Sequence, residues 1–152
     1  ESRGLGDVYK RQDDGCTFYF ISKGKNGAIK KIIHYEEIAE GIFNLTLADN
    51  NPITGEWEDS AVTANDDTEK ILATVVKSVY LFTERYPNAY VYAKGSTHSR
   101  NRLYRRGITK YLTQALEDFI IWGELENEEF EYFNSNSDYE AFIIQRKTKE
   151  LW

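Results

Sequence analysis

AYVYAKGSTHSRNRLYRRGITKYLT, running from Ala89 to Thr113, decides how this chain is read. Ala89-Tyr90-Val91-Tyr92-Ala93 is aromatic and β-branched, the composition of a half-buried strand. Gly95 permits a sharp exit, because a residue without Cβ tolerates backbone angles that others resist. Ser96, Thr97 and Ser99 are all good helix N-caps. Beyond them the apolar residues Leu103, Tyr104, Ile108, Tyr111, Leu112, Ala115, Leu116 and Phe119 follow helical spacing. The stretch predicts a strand, a glycine turn and a helix with one face for a core.

The charges give that helix a chemical character. Lys94, Arg100, Arg102, Arg105, Arg106 and Lys110 fall within seventeen residues, and no Asp or Glu occurs between Arg85 and Leu116. Arg102 is three and four positions from Arg105 and Arg106, so the three share a helix face. A helix start carries unpaired N–H groups and partial positive charge, and attracts phosphate or carboxylate. Guanidinium groups add two-pronged hydrogen bonding to phosphate oxygens. The expected ligand-binding set is Lys94, Gly95, Ser96, Thr97, His98, Arg100, Arg102, Tyr104 and Arg105. The competing reading is architectural: the acids that follow, from Glu117 to Glu131, can neutralise the same cations.

Outward toward the N-terminus, Asp66 begins a capping pattern with Glu69 three residues on. Ile71, Leu72, Val75, Val76, Val79 and Phe82 supply a buried helix face, and Pro87 stops the helix. Before it, Asp49 to Asp67 is long, acidic and rich in turn residues, as functional loops often are. Glu56, Glu58, Asp59, Asp66 and Asp67 offer oxygen ligands, but their spacing matches no calcium loop, so no metal is expected. Ile42 to Leu47 alternates as a strand. Thr17 to Ile21 and Ala28 to Tyr35 form a hairpin about Gly24-Lys25-Asn26-Gly27, where Asn-Gly is a strong turn signal. Lys23, Lys25, Lys30 and Lys31 read as a solvated rim that protects the hairpin edge.

Outward toward the C-terminus, Phe119 to Trp122 either extends the helix or begins a strand, and Gly123 is expected to break it. The acidic segment to Asn136 reads as surface strand or loop, and Tyr139 to Arg146 as a closing strand. The fold class is α+β, a mixed and mostly antiparallel sheet with an N-terminal hairpin or meander and two main helices packed on it. Residues 13–152 are expected to be a single domain.

Composition narrows the function classes. The chain has 152 residues, 41% hydrophobic and 14% aromatic, enough for a packed core. A net charge of −6 excludes whole-molecule attraction to nucleic acid or anionic membrane, so any such contact must be local. The one cysteine, Cys16, has no internal disulfide partner, which fits a reducing, cytoplasmic setting. No apolar run is long enough to span a membrane. Glu1 to Gln12, ESRGLGDVYKRQ, resembles translated sequencing-adaptor sequence and is set aside as a non-native leader.

The hairpin FYFISKGKNGAIKKI, the strand FNLTLAD, the helix entry NDDTEKILATV and the segment YAKGSTHSRNRLYR occur in that order. Together they resemble an uncharacterised family of small bacterial proteins, a domain of unknown function, over Phe18 to Lys147. The most diagnostic piece is Gly95-Ser96-Thr97 followed by Arg100, Arg102, Leu103, Tyr104 and Arg105; Asn101 stands where the pattern commonly has Thr. The resemblance implies a single domain and brings no activity, cofactor or catalytic residue. A weaker resemblance links Arg105-Arg106-Gly107-Ile108 to the pyrophosphate loop of acetyltransferases that use coenzyme A. Thr109 occupies a position that loop keeps small, and the glycine turn comes well before Arg105, so Arg105–Gly107 reads as mid-helix.

Three functions remain on these residues. The first is non-enzymatic binding of a phosphate-bearing small molecule such as a nucleotide, with Tyr92, Tyr104 or Trp57 stacking a base; one version is a sequestering protein like the sponges of phage counter-defence. The second is an enzyme or toxin acting on nucleotides or RNA, with His98 as general base. The third is an interaction module of a toxin–antitoxin or defence complex, or a homo-oligomer joined through its basic and acidic surfaces. The first fits best, with no catalytic residue, metal or cofactor expected and extended nucleic acid less favoured than a small anion.

Overall fold

A computed structural model of the chain describes residues 10–11, 16–25, 27–50, 57–58, 68–95 and 98–148. Nine strands and three helices follow one another there: β1 (Lys10–Arg11), β2 (Thr17–Gly24), β3 (Gly27–Ala39), β4 (Ile42–Asn50), β5 (Trp57–Glu58), α1 (Thr68–Arg85), β6 (Tyr90–Ala93), α2 (His98–Lys110), α3 (Leu112–Asp118), β7 (Phe119–Glu124), β8 (Phe130–Tyr132) and β9 (Ala141–Arg146). The fold is α+β with a mixed, mostly antiparallel sheet, as the alternation and capping patterns predict. The chain divides into two compact units, Glu1–Glu36 with Leu45–Phe82, and Glu37–Asn44 with Thr83–Trp152.

In the first unit the strands pair in the order β1-β2-β3-β4, with β5 against β4. The β2–β3 hairpin runs antiparallel from Thr17↔His34 to Gly24↔Gly27. Gly27 sits at φ +83, where glycine alone is unstrained, so the turn signal has its physical cause; Asn26 itself lies outside the described residues. Lys10 and Arg11, two of the residues set aside above, pair with Tyr19 and Phe18. The core gathers Phe18, Phe20, Ile33, Tyr35, Leu47, Leu72, Val79 and Phe82, all nearly inaccessible. Tyr35 stacks flat on Phe82, with centroids 4.1 Å apart, and its hydroxyl meets Ser78 Oγ at 2.7 Å. Residues Ile71, Leu72, Val75, Val79 and Phe82 of α1 are buried as their spacing predicts, while Val76 is half-buried. The expected opening of α1 at Asp66 lies outside the described residues.

Lys31 departs from the rim reading. Its side chain is 1% exposed and forms an ion pair with Asp49 of β4, itself only 10% exposed. Period-two alternation explains it: Phe18, Phe20 and their partners Ile33 and Lys31 point to one face, which is the core face. Asp49 therefore lies within β4 rather than opening the acidic loop.

In the second unit the order is β4-β6-β9-β7-β8. The start of β4 runs parallel to β6, with Ile42↔Tyr90 and Asn44↔Tyr92, and the remaining pairs are antiparallel. A parallel neighbour needs a crossover, and α1 lies between β4 and β6 in the chain. β9 inserts between β6 and β7, pairing Val91↔Ile144 and Ile121↔Ile144. Val91, Phe119, Ile121, Ala141, Phe142 and Ile144 are buried. β7 begins directly at the end of α3 and continues through Gly123, which the sequence reading took as a breaker. The Tyr139 ring takes the place of a side chain there: a Cβ on Gly123 would lie 2.2 Å from it.

Candidate functional site

β6 leaves the sheet at Ala93, which is buried, and α2 starts at His98. Lys94 is exposed and Gly95 is buried. Asn101, in the first turns of α2, reaches back so that its Oδ1 accepts the Gly95 N–H at 2.6 Å. This bond ties strand to helix across six residues and engages the backbone amide of Gly95, a member of the expected binding set. Ser96 and Thr97 lie outside the described residues, as do the side chains of Ser99 and Arg100.

α2 spans thirteen residues with no acid in its first turn. His98, Arg102 and Arg106 are exposed and fall at i, i+4 and i+8, one stripe along the helix. Tyr104, by contrast, is 7% exposed, so its ring packs inward and presents no open face to a base. Arg105 is engaged: Nη1 contacts Asp138 Oδ1 at 2.5 Å and Nη2 donates to the Ser135 carbonyl at 2.7 Å. It braces the loop before β9. Gly107 is buried in mid-helix, which agrees with reading Arg105–Gly107 as helical rather than as a pyrophosphate loop. The helix is interrupted at Tyr111, with ψ 16, before α3 resumes.

The other candidates separate from this cluster. Tyr92 is half-buried and its hydroxyl donates to Glu124 Oε1 at 2.8 Å. Burial, then that carboxylate, pushes its pKa up to about 12. His34 shares a 2.8 Å hydrogen bond with Thr17 Oγ1, a structural role inside the hairpin. The side chains of Trp57 and Glu58, and the residues Glu56, Asp59, Asp66 and Asp67, lie outside the described residues; among those described, no group of three His, Cys, Asp or Glu is placed to hold a metal.

A recess of about 480 Å³ is lined by Pro87, Asn88, Glu117, Asp118, Arg146, Lys147 and Thr148. Its cations are internally engaged. Arg146 Nε donates to Thr83 Oγ1 at 3.0 Å while its guanidinium lies over the Phe119 ring, and Lys147 Nζ donates to the Leu116 carbonyl.

Three features escaped the sequence reading: the Asn101 brace, the Asp138–Ser135 anchor of Arg105, and a row of aromatic side chains on the second unit's sheet. Only the first had a local signal, an amide side chain at a helix start. A model for a family of unknown function, DUF6934, matches residues 7–147. No curated protein and no solved structure matches the chain. No described helix is long and apolar enough to cross a membrane.

Proposed function

Because the chain belongs to the DUF6934 family, whose function is unknown, no activity is inherited, and we propose from the site alone that it binds a phosphate-bearing small molecule without turning it over. The observation that carries this is the exposed stripe His98–Arg102–Arg106 on a helix that follows β6, with no acid in its first turn. In a chain of net charge −6 such a stripe is a local exception, and a small anion reaches it without meeting the repulsion a polyanion would. The helix start supplies partial positive charge. Lys94 supplies a point charge beside the turn, and Arg102 the two-pronged grip that phosphate oxygens accept. Arg105 holds the 135–138 loop in place beside them, and Asn101 fixes the turn.

Calorimetric titration with ATP, GTP, a cyclic dinucleotide and pyrophosphate tests the reading. Saturable binding to at least one is expected, with Arg102→Ala weakening it about tenfold, the loss of one charge-assisted contact. Absence of heat with all four, or binding that is unchanged in Arg102→Ala, rejects it. A ligand recovered unaltered after incubation supports sequestration; a cleaved one shows turnover.

A further inference from the structure

Among the described residues, one sheet face of the second unit keeps its side chains half-buried or exposed. Across the strands, Tyr92, Ile143, Trp122 and Tyr132 are successive register partners, and beside them run Tyr90, Gln145 and Ile120. None of these side chains is buried, whereas Val91, Ile121, Phe142 and Ile144 on the opposite face are. Tyr90 is 40% exposed, Phe130 47% and Tyr132 73%. Their rings form a ladder: Tyr90 to Trp122 and Trp122 to Tyr132 are both 6.1 Å between centroids, the latter pair stacked. An antiparallel sheet can face water on one side, but that side is then polar. A contiguous aromatic and aliphatic patch there marks an interaction surface.

The charge around the ladder selects its occupant. Residues 119–145 contain seven acids and no Lys or Arg. Glu124 sits on β7 beside the ladder, and Glu126, Glu128 and Glu129 are exposed in the β7–β8 turn at its end. Within residues 119–145 no cation stands ready to meet phosphates, which disfavours a nucleic acid stacked on the rings of β7 and β8. Pairing the face with itself would bring acids and no counter-charge. A cation meets both features, because ring faces attract it and the carboxylates complete its pairing.

We propose that this face docks a protein segment carrying alternating basic and apolar side chains, which lays aliphatic groups on Ile143 and Trp122 and directs its guanidinium or ammonium groups at the Tyr132 ring and the β7–β8 glutamates. The surface is independent of the anion site on α2, and either can fail without the other.

Fluorescence anisotropy of an end-labelled eight-residue peptide alternating Arg and Leu, titrated with the full chain, tests this. Binding is expected, with a Ser–Leu peptide and a Glu–Leu peptide at least about tenfold weaker. Tyr132→Ser should weaken the Arg–Leu peptide about tenfold, as removal of an exposed aromatic anchor does. The double variant Glu126→Gln, Glu129→Gln should remove its salt dependence. Both variants alter exposed side chains, and an unchanged thermal midpoint shows that they fold. The proposal is overturned if the Arg–Leu peptide does not bind, if Ser–Leu binds equally, or if Tyr132→Ser has no effect. Sedimentation showing a dimer that Tyr132→Ser dissociates identifies a second copy as the occupant and also overturns it.

Discussion

Lys31 and Asp49 form a buried pair on neighbouring strands, and such a pair resists the loss of either member more than the loss of both. Asp49→Ala should cost about 3–5 kcal/mol in chemical denaturation, because it strands an ammonium group away from water. The double change Lys31→Met, Asp49→Leu should recover most of that loss. At Gly123 the constraint is space: Gly123→Ala drives a methyl group into the Tyr139 ring. That ring is fixed, since Tyr139 accepts the Asn134 N–H and donates to Glu131. A loss of about 1–3 kcal/mol is expected, the usual range for overpacking. Tyr92 makes a pH prediction. Its phenol titrates near the ordinary value of 10.0 when unfolded and at about 12 when folded, so the native state favours the protonated form. The associated stability is fully present below pH 10 and declines as pH rises from 10 to 12. Absorbance at the phenolate band should show a late-titrating tyrosine that is lost in Tyr92→Phe. None of these three environments is local in sequence, so each was invisible until strands were paired.

At the scale of elements, the strand–turn–helix of residues 89–110 was legible because its signals are local: β-branched and aromatic residues, a glycine, capping residues and helical spacing. The fate of its cations was not, because a guanidinium on a helix looks the same in sequence whether it meets water or a carbonyl thirty residues on. Arg105 meets Asp138 and Ser135, a partnership nothing near it in the sequence announces. The Arg105–Asp138 pair lies at the surface, Asp138 being 96% exposed, so Asp138→Ala should cost no more than about 1 kcal/mol. Amide exchange at Ser137, whose N–H bonds the Asn134 carbonyl, should nevertheless accelerate as the loop loses its brace. Asn101→Ala releases the Gly95 N–H from its partner and should cost about 1–2 kcal/mol, since Gly95 is buried and its amide is left unmatched. Thermal unfolding of these two variants separates a surface brace from a buried one.

For the molecule as a whole, the most distant decision is the position of β9. It pairs with both β6 and β7, so the last described strand joins the middle of the second unit's sheet. Ending the chain at Asp138 should therefore abolish near-ultraviolet dichroism from the second unit and raise binding of a hydrophobic dye, where loss of a true edge strand would do neither. The sequence by itself determined the element types, the α+β class, the acidic balance and the basic helix, because propensity, periodicity and charge act over a few residues. Tertiary structure alone decided that Lys31 is core rather than rim, that Gly123 continues a strand, that Tyr104 faces inward and that Tyr90, Trp122 and Tyr132 align into one ladder. Those outcomes depend on which strands become neighbours and in what register, and register is set by side chains far apart in the chain.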